Sequence, residues 1–325
     1  MARPNRRAAI DVQVSTASTH SRARLWLGIL CVLAFVILSD TRDIVLEQHL
    51  KVENAYDYLL IVFGIAALFY TIINRIKTQR NPHVIILGFA PNIFWLNVVT
   101  ASNWLGWFLS LKYLTAPIVV ALYAGIIPMA TLVVNRLLRS SSVTSPADLA
   151  SSTLLLASAV AWALWGNILS LQNAQSVIGV GLVVMCSISI AATTVVSKRL
   201  ADLKVPTSRI MAHRFYLLLG IALFMASSPK ELLTMVGRNY LMLLLAAIVG
   251  TILSLWLLQK GIERCEPVLT VVIIATSPAF SLLLYIILND VASIEISTAV
   301  LSISVVLIAV FHTFFQHKNQ LGIKG

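Results

Sequence analysis

Long apolar runs alternate with short polar breaks along the whole chain. A helix needs about 20 apolar residues to cross a bilayer core ~30 Å thick. On that basis the runs predict ten spans, approximately 25–46, 56–73, 89–113, 118–135, 150–168, 177–197, 209–227, 239–259, 267–287 and 296–315. No series of ~10-residue alternating strands occurs, so a membrane β-barrel is not expected. The predicted class is all-α, a polytopic membrane protein of ten transmembrane helices. Ahead of the first span, residues 1–24 (MARPNRRAAIDVQVSTASTHSRAR) are polar and basic and read as a disordered cytoplasmic tail. No small-x-small cleavage site follows residue 38, so the first span reads as a retained helix and not a signal peptide. Residues 317–325 read as a second short cytoplasmic tail.

The chain also reads as a duplication. Residues 114–128 are LTAPIVVALYAGIIP and residues 264–278 are RCEPVLTVVIIATSP. Pro117 and Pro128 are 11 apart, as are Pro267 and Pro278, and the offset between the pairs is 150. A second match, LKV at 50–52 and at 203–205, has an offset of 153. Matched spacing, span order and loop length predict two five-helix repeats, 25–168 and 177–316. Five is odd, so the second repeat enters the membrane from the opposite side. Inverted halves support alternating access, because each half can take up the other's conformation. Pro128 and Pro278 are expected to kink their helices and to free carbonyls near Ala124 and Ile274.

These repeats carry a resemblance. The stretches SLKYLTAPIVVALYAGIIP and GIERCEPVLTVVIIATSP, with SISIAATTVVSKRLADLKVPTSRIMAHRF at the start of the second half, resemble the drug/metabolite transporter superfamily, in particular its EamA-like branch. The resemblance covers about 25–316 and includes an arginine in the seventh helix, here Arg214. It implies a central cavity between the halves and transport of small metabolites: amino acids, nucleosides, nucleotide sugars or amphipathic drugs. The chain departs from the family in the first helix, where a common Trp-Gly is replaced by Ser39-Asp40.

Composition and charge refine this picture. The chain is 58% hydrophobic and 11% charged, with a mean hydropathy of +0.88, far above a soluble domain. Its net charge of +11 is unevenly placed. Of 24 Lys and Arg, 19 fall on the side of the termini and 5 on the other; without the first 24 residues the ratio is 14 to 5. The positive-inside rule therefore predicts cytoplasmic termini and a solvated basic face, not a nucleic-acid site. A bacterial inner membrane is the expected location, with an organelle membrane as the alternative that an Arg- and Ser-rich, nearly acid-free leader suggests. Cys31, Cys186 and Cys265 form no framework and read as packing residues.

Residues 39–43, SDTRD, raise the sharpest question. From Leu25 to Ser39 is 15 residues, about 22 Å of helix and too short for the core. The first helix is therefore expected to continue through SDTRD, with Asp40 roughly 7 Å inside the outer boundary. Asp40 and Asp43 share a face, with Thr41 beside them and Arg42 rotated away. One reading is a carboxylate pair that binds a cationic group or a proton; the other is a bent membrane exit with Arg42 snorkelling. The aligned residues of the other half, Thr193 and Thr194, are neutral. Asn103 and Trp107 share a face of the third helix and are candidates for lining a cavity or for anchoring at the interface. Tyr123, Thr194, Thr276 and Ser277 are further lining candidates. His213 is a candidate proton relay, and Arg214 is expected to snorkel to lipid phosphate.

Enzymatic readings fare poorly. Asp40-x-x-Asp43 has the spacing of a metal–diphosphate site, but the second acidic cluster such a site needs is missing; HExxH and GxxxxGK[ST] are absent too. The chain is read as a non-enzyme without cofactor or metal, whose partners are a small-molecule substrate and the bilayer, as monomer or homodimer. The expected function is secondary transport by alternating access, exporting a small metabolite such as an amino acid or a related amine or nucleoside-type compound, with proton coupling. The alternatives are an uncoupled facilitator or drug-efflux permease and, remotely, an intramembrane enzyme.

Overall fold

The computed structural model describes residues 6–78, 90–138, 145–165 and 174–288, and six residues between 303 and 311. Every regular element among them is helical. In chain order these are α1 (Arg6–Val52), α2 (Ala55–Thr78), α3 (Ala90–Tyr113), α4 (Ala116–Leu138), α5 (Pro146–Trp165), α6 (Ala174–Asp202), α7 (Thr207–Ala212), α8 (Tyr216–Met225), α9 (Pro229–Ala247), a π-helical turn (Ile248–Leu253), α10 (Ser254–Arg264), α11 (Pro267–Ile274) and α12 (Ser277–Leu288). Among the described residues, six segments are long and apolar enough to cross a membrane: Ala55–Lys77, Ile118–Leu138, Ala174–Asp202, Thr207–Met225, Pro229–Arg264 and Pro267–Leu284. The predicted tenth span, 296–315, falls largely outside the described residues.

Several elements differ from expectation. Residues 6–24, read from composition as a disordered tail, continue α1 as helix; they contain no Gly or Pro to stop it. At its other end α1 runs through SDTRD to Val52. The seventh span is broken, with α7 ending at Ala212 and α8 starting at Tyr216. The eighth starts earlier than hydropathy suggests, at Pro229, behind a Ser228–Glu231 capping box, and bends at Asn239. In the ninth, Pro278 does not kink a continuous helix. It sits in the first turn of α12, just after a break at Ala275–Thr276, where its missing N–H costs nothing. Pro128 does lie inside α4.

Asn97 of α3 holds the break between α7 and α8. Its amide donates to the carbonyl of His213 (2.6 Å), and its side-chain oxygen accepts from the Leu217 N–H (3.3 Å). Both are groups that a helix end leaves without a helical partner. Asn97→Ala strands them in a buried position and is expected to cost about 1–3 kcal/mol for each group not re-solvated. Thermal unfolding of the purified protein in micelles reads this loss, and an unchanged midpoint would show that the break is held by other means.

The helices pack in a crossed pattern. α3 and α4 lie along α6, while α10, α11 and α12 lie against α1; α2 packs on α7 and α8, and α4 on α11 and α12. Glycines permit close approach at two of these crossings. A Cβ on Gly261 would stand 2.3 Å from Val32 Cγ2, and one on Gly28 2.8 Å from Arg264 Cβ, at the α1/α10 crossing. A Cβ on Gly106 would stand 2.9 Å from the Leu182 carbonyl, and one on Gly179 2.7 Å from Leu114 Cγ, where α3 and the residue after it cross α6. Without a hydrophobic driving force between helices in lipid, such close approach supplies the packing attraction. The core continues as an aromatic cluster joining α2, α3 and the start of α8: Phe63 lies 4.7 Å from Trp104 and 5.5 Å from Phe215, centroid to centroid. The three cysteines are free. Burial pushes the Cys265 thiol, between α10 and α11, up to about 11, which makes it unreactive at neutral pH.

Candidate functional site

α1, α3, α4, α6, α10, α11 and α12 converge on one buried cavity of about 30 Å³, roughly the volume of one water molecule. Its walls carry four charged side chains, Asp40, Arg42, Asp43 and Arg214. All four are almost fully buried, at 1–4% exposure. Charges in such surroundings are expensive and mark functional sites by default.

Arg42 and Asp43 form a pair. Arg42 Nε and Nη2 both reach Asp43 Oδ1, at 2.8 and 2.7 Å. Successive helix residues do not normally face each other. Here the long guanidinium side chain turns inward because Gly250 leaves it room: a Cβ on Gly250 would stand 2.7–2.9 Å from the Arg42 Cβ, Cγ and Cδ. Arg42 Nη1 donates to the Gly250 carbonyl (2.8 Å). A π-helical turn offers carbonyls that an α-helix would occupy, and this one also accepts from the Tyr70 hydroxyl at Ile252. The guanidinium stacks 4.9 Å from the Trp104 ring centroid. Arg42 therefore does not snorkel to the membrane surface, as the bent-exit reading of SDTRD required.

Asp40 has a different partner. Its Oδ1 accepts from Ser277 Oγ at the start of α12 (2.6 Å), and its Oδ2 has no hydrogen-bond partner. Opposite lies Arg214, in the break between α7 and α8. It was expected to reach lipid phosphate, but the break turns it into the core. It lies against Met211 Sδ (Nη1 at 3.6 Å) and 5.5 Å from the Phe215 ring centroid, and its Nε is unpartnered. Asn103, Trp107 and Tyr123 complete the polar wall, with Trp107 and Tyr123 edge to face at 4.7 Å.

Of the residues singled out from sequence, Asp40, Asp43, Asn103, Trp107, Tyr123 and Ser277 line the cavity. Four do not. Thr41 donates to the Ile37 carbonyl and faces a separate apolar groove between α1 and α9. Thr194 and Thr276 bond back to Ile190 and Ile273 of their own helices, the usual alternative for a hydroxyl in a helix. His213 bonds to the Tyr216 hydroxyl at 2.5 Å and stands outside the cavity wall. Sequence reasoning missed Arg42, Trp104 and Arg214. For Arg42 the visible sign was a basic residue inside a span too short without it.

Comparison with known proteins agrees with this architecture. Residues 177–315 match the EamA-like transporter family. A solved structure described only as "Crystal structure of protein" superposes with a TM-score of 0.61 at 16% identity, covering 90% of this chain and 99% of its own. No curated protein matches the chain. The second half of the chain thus resembles the EamA-like transporters of the drug/metabolite transporter superfamily, integral membrane proteins that move small solutes, and the described residues hold six helices long and apolar enough to cross a membrane.

Proposed function

We propose that this chain is a secondary exporter of a small polar metabolite, of the amino-acid, amine or nucleoside type, working by alternating access with Asp40 as its ionisable centre. The observation that carries this reading is the hydrogen bond between Asp40 and Ser277, buried where α1 meets α12 and leaving one carboxylate oxygen open to the cavity. A proton or a substrate cation that takes this oxygen changes the charge balance between the two halves. It thereby biases which side the cavity opens to.

Ten spans in two inverted repeats remain our topological reading, and the packing supports it. α3 crosses α6 as α10 crosses α1, an exchange of partners expected of two halves related by a twofold axis. The glycines at those crossings correspond as well: Gly28 and Gly179 are offset by 151, Gly106 and Gly261 by 155. In this reading both termini are cytoplasmic, as the bias of basic residues toward their side supports, and the membrane is a bacterial inner membrane.

The test begins with metabolites in the medium of expressing and deleted cells, followed by flux of the identified solute in proteoliposomes. Uphill flux that collapses with a protonophore is the expected result; downhill flux alone would mean a facilitator. Asp40→Asn is expected to reduce flux at least ~30-fold, the effect of losing one partner of a buried charged interaction, and to abolish its pH dependence. Wild-type flux with the same pH profile would remove Asp40 from the mechanism.

A further inference from the structure

We infer that Glu47 and Lys198 are two gate latches, one at each end of the cavity, built at the same position of the two repeats with opposite charge. This rests on the transport reading above and adds the residues that decide which side opens.

Packing divides the cavity-lining helices into two bodies. α1 lies with α10, α11 and α12, and α6 lies with α3 and α4. Glycine crossings hold each body together, at Gly28 and Gly261 in one and at Gly106 and Gly179 in the other. Both bodies line the cavity, so opening it to either membrane face parts them at one end. Glu47 joins them at one end. It stands in the last two turns of α1 and is buried. Its Oε2 accepts from the N–H of Ala116, the first residue of α4 (3.1 Å), and its Oε1 pairs with the Lys51 ammonium (2.5 Å). Lys198 joins them at the other. It stands in the last two turns of α6 and is buried as well. Its Nζ lies 3.5 Å from the Glu263 carbonyl at the end of α10 and 3.8 Å from Asp202. The Glu263 carboxylate in turn accepts from Thr207 of α7 and from Lys260.

Glu47 and Lys198 are offset by 151, and so are Lys51 and Asp202; Gly28 and Gly179, on the same two helices, have the same offset. One i, i+4 ion pair therefore stands at the same place in both repeats with its signs exchanged. Each sign suits the helix end that it meets. The free N–H groups at the start of α4 attract an anion, and the free carbonyls at the end of α10 attract a cation. The dipole of α1 itself disfavours a carboxylate near its C-terminal end, so the helix that carries Glu47 does not account for it. In the inverted-repeat reading the ends of α1 and α6 lie at opposite membrane faces. Both latches are made in this structure, and the cavity between them has a volume of only about 30 Å³. Breaking the Glu47 latch frees α1 from α4 at the face opposite the termini. Breaking the Lys198 latch frees α6 from α10 at the face of the termini.

The experiment reads access to the cavity and needs no substrate. Ser39 lines the cavity and its hydroxyl bonds back to Val36 of its own helix. Ser39→Cys is made in the full-length chain carrying Cys31→Ala, Cys186→Ala and Cys265→Ala. A membrane-impermeant quaternary-ammonium thiosulfonate is applied to membrane vesicles of either orientation, with an N-terminal tag reporting which face is exposed. Glu47→Gln keeps the size and an acceptor oxygen but loses the charge. It is expected to speed labelling about 10-fold from the face opposite the termini and not from the other, the effect of weakening one charge-assisted hydrogen bond. Lys198→Met, which keeps the length of the stem, should do the same from the face of the termini alone. Exchanging the signs in one latch, Glu47→Lys with Lys51→Glu, restores the local ion pair but sets a cation against the start of α4. It should speed labelling at least as much as Glu47→Gln. Faster labelling from one and the same face in both single variants, or from neither face, overturns the latches, as does slow labelling restored by the sign exchange. A failure of the transport reading shows instead as no flux by the wild-type protein in the metabolite experiment, whatever the labelling.

Discussion

Arg42→Met is expected to destabilise the folded protein by about 3–5 kcal/mol, the usual cost of breaking a buried ion pair by removing one partner. Asp43 is 2% exposed and its Oδ1 receives both the Nε and Nη2 donors of Arg42. Without them a carboxylate is left in the core of the bundle. The same substitution leaves the Gly250 carbonyl with only the hydrogen bond from Ser254 Oγ and removes the cation stacked on Trp104. Met fills most of the vacated volume, so the loss is electrostatic more than steric. The double variant Arg42→Met with Asp43→Leu should recover most of the stability, because replacing a whole buried pair by apolar groups is often neutral or better. Thermal unfolding in micelles, with the fraction recovered as a monodisperse peak, measures both. Equal losses in the single and double variants would show that Asp43 does not depend on Arg42.

Gly106→Leu and Gly261→Leu should each cost at least the upper end of the ~1–3 kcal/mol typical of overpacking, by similar amounts. A Cβ at Gly106 already meets a backbone carbonyl at 2.9 Å, which can yield only if α3 and α6 separate. At Gly261 it meets Val32 Cγ2 at 2.3 Å, on a β-branched side chain with little rotamer freedom. Gly64→Leu and Gly181→Leu provide the contrast, since a Cβ at either has nothing within 4 Å. They should be neutral, or stabilising by up to about 1 kcal/mol from the lost flexibility of a helical glycine. Thermal unfolding of the four variants ranks them. A marked difference between Gly106 and Gly261 would count against equivalent crossings, and comparable losses at all four would mean that glycine is required for some other reason.

The candidate site was partly legible in the sequence, and the parts that were missed share a cause. A charged stretch inside an apolar helix stands out locally, so Asp40 and Asp43 could be picked by span length alone. Asn103, Trp107 and Tyr123 are polar positions on apolar helices, which is again local information. Ser277 was a weaker choice, distinguished from Thr276 only when the break in the ninth span turns its hydroxyl to Asp40 and sends the Thr276 hydroxyl to its own helix. Arg214 was misplaced because hydropathy reads 209–227 as one helix, whereas Asn97, from another helix, stabilises an interruption there.

From sequence alone came the all-helical membrane class, the side preferred by the basic residues, the resemblance to EamA-like transporters and the position of SDTRD within the first helix. These follow from hydropathy, charge counts and spacing, which are sums over neighbouring residues. The pairing of the charges was decided only in three dimensions. Arg42 turns inward because a glycine 208 residues later leaves space for it and a π-helical turn offers it a carbonyl. Once Arg42 is committed to Asp43, Asp40 and Arg214 remain as the two charges facing the void. Burial and partner choice depend on which helices touch, and no local pattern contains that information.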